Sequence, residues 1–414
     1  MQINIIDSIM GSGKTQFAIQ HMNENKDENF IYITPYLDEV QRIKNSCNRH
    51  FVEPKECKKD KIYSKSKSLK ELMVLSSDIA TTHSLFKLVD EEAEKIIEAS
   101  SYTLILDEVM DVVQHIPVNK ADLDLLFVRS DTLRKEPDGL ITLGDDAERY
   151  MSFGRGKFSE LINMAKLKRL FMIDDTVLLW EFPIDIFRYF KEVYILTYLF
   201  DGQIQKYFFD FYDVNYNKYT VKKSDKYELI TYNENSDLEK RKDIGKLINI
   251  YEGKLNEIGR YNTALSYNWF RNEPETMIEI LSNNMYNYFR HINDVRVNDV
   301  LWTCYKESGV KVRNYKRAFI PHNLRATNDY SHTHTLAYAV NRFINPYLVK
   351  YFSKKNVKVD EDMYALSEMI QWIFRSRIRN NESINTYIPS SRMRELLKNF
   401  VLGKNLKKVN VFNG

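Results

Sequence analysis

The sequence is poor in cysteine, glycine and proline, with 3, 13 and 9 of them among 414 residues. Cys47, Cys57 and Cys304 build no disulfide framework, and neither a Cys-x-x-Cys pair nor a zinc-type Cys/His spacing occurs, which excludes a secreted disulfide scaffold and a zinc module. The few Gly and Pro exclude fibrous and low-complexity chains. No run approaches the ~18 apolar residues of a membrane span. The amino terminus, MQINIIDSIMGSGK, carries one short apolar strand instead of a charged leader and a long apolar core. These absences predict a cytoplasmic protein, in the host cytoplasm if the source is viral, with no membrane partner. One-sided charge is missing too: 60 Lys+Arg against 57 Asp+Glu leave +3, so no global field singles out a polyanion, although a local basic surface remains open.

What is present suits buried cores: 43% of residues are hydrophobic and 13% aromatic. At domain sizes of about 100 to 200 residues, the length predicts two domains. Apolar runs at 3–6, 30–35, 78–83, 103–109, 169–175 and 192–200 alternate with helical patterns such as QFAIQHM, whose Phe17, Ile19 and Met22 suit a face packed on a sheet. Such alternation implies right-handed crossovers and a mainly parallel sheet covered on both faces. After Phe200 the pattern loosens into an aromatic, Asn-rich stretch that reads as hairpin-like strands entering a second unit, so the expected domains are 1–200 and 201–414. Strand candidates recur at 263–268, 299–305, 317–322 and 383–389, with long helical patterns at ETMIEILSNNMYNYF and MYALSEMIQWIFRSRI. The basic stretch from Lys55 to Lys70 reads as a solvated loop.

The strongest local signal is Ser8-Ile9-Met10-Gly11-Ser12-Gly13-Lys14-Thr15, which follows an apolar strand and opens a helix, the context of a phosphate-binding loop. Gly11 and Gly13 let successive backbone N–H groups of Met10 to Thr15 face an anion, and the new helix adds its positive end. Lys14 would reach the β and γ phosphates of ATP and Thr15 would ligate magnesium. Ser8 stands where the full pattern has Gly. About 90 residues on, Leu104-Ile105-Leu106-Asp107-Glu108 delivers two carboxylates at a strand's C-terminal end, where open α/β sheets hold ligands. Asp107 suits the Mg²⁺ and Glu108 suits the attacking water.

With these two motifs the chain resembles the superfamily 2 helicases and translocases. SIMGSGKT is similar to their motif I, and LDEVMD to their motif II. The resemblance implies α/β architecture with two tandem RecA-like P-loop domains, mainly parallel sheets, and nucleotide held in the cleft between them. Ala80-Thr81-Thr82-His83 resembles the segment where a strand-end Thr, here Thr82, touches a nucleic-acid phosphate. Leu196 to Leu199 falls near motif III. Arg325 to Asp329 occupies the place of motif V, which implies a nucleic-acid contact for Thr327. Gln371-Trp372-Ile373-Phe374-Arg375-Ser376-Arg377-Ile378-Arg379 resembles motif VI, with Phe374 where Gly usually precedes the first Arg. It implies that Gln371 and one of Arg375, Arg377 and Arg379 complete the ATP site from the second domain. The spacing is closer to that of herpesvirus origin-binding helicases than to Arg-x-x-Arg relatives, and a bacteriophage replication helicase is the nearest overall likeness.

The function implied is ATP-dependent movement on, and unwinding of, single-stranded or forked DNA, with other replication proteins as partners. Two other classes stay open: a packaging or remodelling ATPase, and an ATP-gated origin-binding protein. Trp269, Trp302, Trp372, His83, His332 and His334 read more simply as core or surface residues than as base-stacking groups or ligands.

Overall fold

The computed structural model describes residues 2–56, 64–154, 156–323 and 329–404. Four strands open the chain: β1 (Gln2–Asp7), β2 (Asn29–Thr34), β3 (Ile79–Thr82) and β4 (Tyr102–Asp107). A second group, β5 (Val113–Ile116), β6 (Leu133–Lys135), β7 (Ile141–Leu143), β8 (Leu170–Ile173) and β9 (Val177–Glu181), lies between β4 and β10 (Glu192–Thr197). β11 (Asn217–Lys223) and β12 (Tyr227–Thr231) follow, and then β13 (Ile248–Ile250), β14 (Val300–Thr303), β15 (Thr335–Tyr338) and β16 (Ile384–Tyr387).

The first sheet has seven strands in the order β12-β11-β1-β10-β4-β2-β3, parallel except for β12. Its strands β1, β2, β4 and β10 are mostly apolar runs because both their faces are covered. Along β1, Ile5 feeds one core with Ile33, Leu104 and Ile195, while its neighbour Ile6 feeds the opposite core with Phe17, Met22 and Tyr32. The second sheet, β13-β16-β15-β14, is wholly parallel and likewise buried on both faces. The expected α/β class with mainly parallel sheets is what the chain adopts.

Several expectations are corrected. The run at 169–175 does not continue the parallel series: β8 pairs antiparallel with β9 in a separate sheet, β5-β9-β8. Asp174 and Asp175, at φ 49° and 55°, turn the chain straight back, so local hairpin pairing takes the strand. The aromatic stretch after Phe200 begins with a helix, Ile204–Phe211, whose Tyr207, Phe208 and Phe211 sink into the first core. The hairpin that follows, β11 and β12, joins the first sheet through β1, so the strands of the first unit run on to Thr231, beyond the boundary expected at 201. Residues 263–268 form no strand, since Leu265 has φ 63° and Ser266 caps the helix Tyr267–Asn272 by accepting from the Trp269 N–H. Residues 317–322 contribute only an isolated bridge from Phe319 to Trp302.

The two units interlock. The helix Pro346–Ser353 returns to the first core, where Tyr351 stacks on Phe211 at 4.5 Å between centroids. Tyr351 and Tyr212 both donate to the buried Glu181 carboxylate. In the other direction Ile9, Tyr198 and Leu199 of the first unit lie in the core of the second, among Leu366, Ile370 and Phe374.

Candidate functional site

β1 ends at Asp7, and its carboxylate accepts from the N–H groups of Leu199 (2.8 Å) and Phe200 (3.2 Å), which fixes the chain where it leaves β10 in a left-handed conformation at Leu199. Ser8 shows why its position departs from glycine. Its hydroxyl lies 2.6 Å from Thr220 Oγ1 and accepts from Val221 N–H at 2.8 Å, tying the root of the loop to β11. The loop then rises through Gly11 at φ 81° and Gly13 at φ 92°, a backbone region that favours glycine. Space selects glycine as well. A Cβ on Gly13 would meet the Tyr227 ring at 2.3 Å, and one on Gly11 would stand 3.2 Å from the Arg379 carbonyl oxygen. Ser12 Oγ is buried without a hydrogen-bond partner.

Helix α1 (Lys14–Glu24) begins at the end of this loop. The Lys14 ammonium donates to the carbonyls of Ser8 (2.5 Å) and Ile9 (3.3 Å). Burial lowers its pKa, the charges of Glu108, Asp107 and Asp7 act against that, and Arg379 adds to it. Thr15 is half-buried one residue further on. Across β10, Asp107 accepts from the Tyr32 hydroxyl at 2.8 Å. Burial raises the Asp107 pKa, while Tyr32, Arg42 and Lys14 pull it back down. Glu108 stands at φ 78°, left-handed without being glycine, with its N–H bonded to Leu196 O at 3.0 Å. Backbone strain of this kind costs of order 1–3 kcal/mol and gathers at functional sites.

The second unit reaches the loop through one turn. The helix Glu361–Ile373 carries Gln371 half-buried in its last turn, beside the fully buried Trp372. Arg375 is buried just past the helix end. Arg377 is turned elsewhere: its Nε donates to Ser383 O at 2.6 Å, and Glu382 lies 4.0 Å from its Nη1. Arg379 is the arginine at the phosphate loop, against Gly11 and within electrostatic reach of Lys14. Burial and the neighbouring Arg42 lower its pKa, and Glu39 opposes them. The structure therefore gathers Lys14, Asp107, Glu108 and Arg379, and leaves Arg377 outside that group.

Three residues of this group carried no motif signal: Tyr32 on β2, and Glu39 and Arg42 on helix α2 (Leu37–Ser46). Glu39 and Arg42 pair at 2.5 Å, one helical turn apart, and both act on Arg379. The Glu-x-x-Arg spacing after an apolar strand was the available cue, yet it is ordinary on any exposed helix. Thr82 ends the edge strand β3 and caps the helix His83–Phe86 by accepting from Leu85 N–H at 3.4 Å. Thr197, in the segment near motif III, donates to Gln203 Oε1 at 2.9 Å. Thr327 lies outside the described residues. Among the described residues no three His, Cys, Asp or Glu side chains cluster as a metal site, and no helix is long and apolar enough to cross a membrane.

Residues 242–401 match the family described as the YonV C-terminal Rossmann-like domain. The chain is 45% identical over 407 residues to the SPbeta prophage-derived protein YonV of Bacillus subtilis (strain 168), covering 97% of this chain and 98% of that protein. Among solved structures, Xpd4 of S. tokodaii aligns over 98% of this chain and 95% of its own at TM-score 0.48 and 13% identity. A structure titled XPD helicase aligns over 98% and 95% at TM-score 0.45 and 10% identity. At these scores the likeness assigns neither residue nor activity to this chain.

Proposed function

The chain belongs to the family of the prophage protein YonV, and from that premise and the geometry of the cleft we propose that it is an ATP-hydrolysing DNA helicase or translocase. The observation that carries the reading is the meeting of the two units at one loop: the main chain of Arg379 in the second passes beside Gly11 of the first, and the Arg379 charge acts on Lys14. An isolated phosphate loop would bind nucleotide; a loop completed by a cation from a second unit can sense whether the γ phosphate is there.

The fit to a triphosphate is supported by the orphaned Ser12 hydroxyl, the two left-handed glycines and a buried ammonium facing two carboxylates. Lys14, freed from the Ser8 and Ile9 carbonyls, would hold the β and γ phosphates. Thr15 and Asp107 would hold a magnesium ion, which when bound supplies charge neutralisation to the phosphates. Glu108 would orient the attacking water and take its proton, a task suited to a carboxylate whose backbone is fixed just past a strand end. Arg379 would meet the charge that develops on the transferred group, a contribution worth roughly 10³ to 10⁵ in rate in enzymes with such a finger. Gln371 and Arg375, of the same motif, would complete the site from the second unit. When phosphate leaves, the ligand holding Arg379 to the loop is gone, and the turn that carries Arg379 would shift against the loop while the shared cores keep the units joined. Grips on nucleic acid in both units, including Thr82 and Thr327, would turn that shift into movement along single-stranded or forked DNA. The prophage origin of the relative favours a role in phage replication, with other replication proteins as partners.

The test is the ATPase rate of wild type and Lys14→Ala with no nucleic acid, single-stranded DNA, duplex DNA and RNA, followed by strand displacement on forked substrates. Stimulation by single-stranded DNA, lost in Lys14→Ala, together with strand separation is expected, and Glu108→Gln should bind ATP without turnover. Hydrolysis indifferent to every nucleic acid overturns the reading. Stimulation without displacement would point to a packaging or remodelling motor, and ATP binding without turnover to an ATP-gated origin-binding protein.

A further inference from the structure

β1 lies between β10 and β11, with β4 beyond β10. The phosphate loop therefore has two flanks, one facing Asp107 and Glu108 and the other facing the β11–β12 hairpin. The hairpin flank opens into a cleft of about 540 Å³, bounded by Ile9 to Ser12, the end of β11, Ile230 of β12, the helix Glu234–Gly245 and the residues Arg379 and Asn381. That volume lies within the usual range for small-molecule sites, roughly 300–1,000 Å³. Val221, Ile230 and Ile244 give it aliphatic walls, and Lys222, Lys223 and Lys240 give it cations. Among the described residues that line it there is no carboxylate. Ile230 keeps 40% of its surface exposed while its neighbours in the alternation, Tyr227 and Leu229, pack against the first unit's core, so core packing does not account for Ile230.

We infer that this cleft receives the base and ribose of the nucleoside triphosphate, resting on the nucleotide reading above. A triphosphate laid along the loop with its γ end toward the Asp107 and Glu108 flank must send its nucleoside end out on the opposite flank, and the hairpin cleft is what lies there. The aliphatic walls take the face of a base, while the lysines favour the phosphate next to the ribose. Guanine selection calls for an acceptor of its N1–H and exocyclic amine, ordinarily a carboxylate, and adenine selection calls for fixed backbone partners. The aliphatic walls and the lysines supply neither, and the Ser236 hydroxyl and Asn381 amide, each able to donate or accept, suit any base, so this site binds purine and pyrimidine nucleotides with similar affinity. The β11–β12 hairpin, joined to the loop through Ser8 and through Tyr227 on Gly13, belongs to the nucleotide site.

The experiment is equilibrium binding of ATP, GTP, CTP and inorganic tripolyphosphate to full-length wild type, Ile230→Trp, Ile230→Asn and Lys14→Ala, with thermal unfolding as the check on folding. Because Ile230 is partly exposed, at least one of its two variants should fold. Tripolyphosphate carries the phosphates without a nucleoside. Ile230→Trp is expected to weaken all three nucleotides at least tenfold and tripolyphosphate less than twofold, Ile230→Asn to act the same way more weakly, and Lys14→Ala to weaken all four ligands. Equal weakening of tripolyphosphate and ATP by a folded Ile230 variant, or no weakening of ATP, overturns the assignment while leaving the nucleotide reading intact. A preference above a hundredfold among the three nucleotides overturns the lack of base selection. Wild type that binds none of the four overturns the nucleotide reading itself, and the cleft assignment with it.

Discussion

The two sheets bear opposite burdens. The first buries ionisable groups at the C-terminal ends of its strands: Asp7 at the end of β1, Lys14 just past the loop, and Asp107 at the end of β4 all have pKa values displaced by burial toward the neutral form. Together with Glu108 at positive φ, they make a stretch that folding alone would not favour. The second sheet keeps its strand ends mostly uncharged and contributes to the cleft from the short turn Arg377–Asn380. The costly part of the site is thus held on the larger sheet, and the smaller unit supplies a cation from a single turn.

The sharpest way to break this contrast is at the arginines. Arg379→Ala should lower kcat for ATP by on the order of 10³ or more with a much smaller change in nucleotide affinity, whereas Arg377→Ala should stay within about threefold of wild type. Steady-state ATPase with a parallel binding titration reads both, and an equal loss in the two variants would remove the distinction drawn between them.

The second unit has its own titration signature. Burial and the adjacent Arg342, whose Nη1 lies 3.1 Å from the ring Nε2, depress the His322 pKa from 6.5 to about 4. The unfolded chain then takes up a proton that the folded chain refuses, so this contribution is fully present above pH 6.5 and is lost as pH falls toward about 4. The loss reaches at most on the order of 3 kcal/mol. Urea midpoints measured from pH 7 to pH 4.5 should fall in wild type and fall less steeply in His322→Gln; identical slopes would show that His322 does not titrate as its surroundings imply.

Asp107 has the opposite sign. Its folded pKa is raised above 3.8, so the folded chain binds the extra proton and stability falls as pH rises from 3.8 through that higher value. Asp107→Asn, which can still accept from Tyr32, should raise the Tm at neutral pH, with a gain of roughly 1–3 kcal/mol, while abolishing turnover. A lower Tm in that variant would mean that the carboxylate is paid for by its neighbours. The smallest effect is expected from Ser8→Gly, which restores the commoner residue of the loop pattern. It should cost about 1 kcal/mol through the lost bonds to Thr220 and the Val221 N–H, visible as faster amide exchange in β11.

Much of this was legible in the residues. Apolar runs at 3–6, 103–109 and 192–200 announced central parallel strands, because a strand covered on both faces has to be apolar at most positions. The pairing of β8 was hidden, since an apolar run does not reveal its partner and the Asp174-Asp175 turn outweighs the βαβ rhythm around it. The β11–β12 hairpin was legible as a hairpin but not as part of the first sheet, because that membership comes from the contact of residues 217–219 with 4–6. Glu39, Arg42 and Tyr32 had no motif, and only their convergence on Asp107 and Arg379 marks them.

By itself the sequence determined the phosphate loop, from the strand before it to the glycines and the Lys-Thr pair that opens α1, because those features rest on backbone sterics and on contacts within a few residues. It likewise determined that two carboxylates would stand at the end of β4. Only the tertiary structure decided which arginine faces the loop, why Ser8 is a serine and which cleft adjoins the phosphates. Those outcomes depend on side chains more than 200 residues apart meeting across packed cores, and no local pattern encodes the direction in which a residue will face once the sheets have closed on one another.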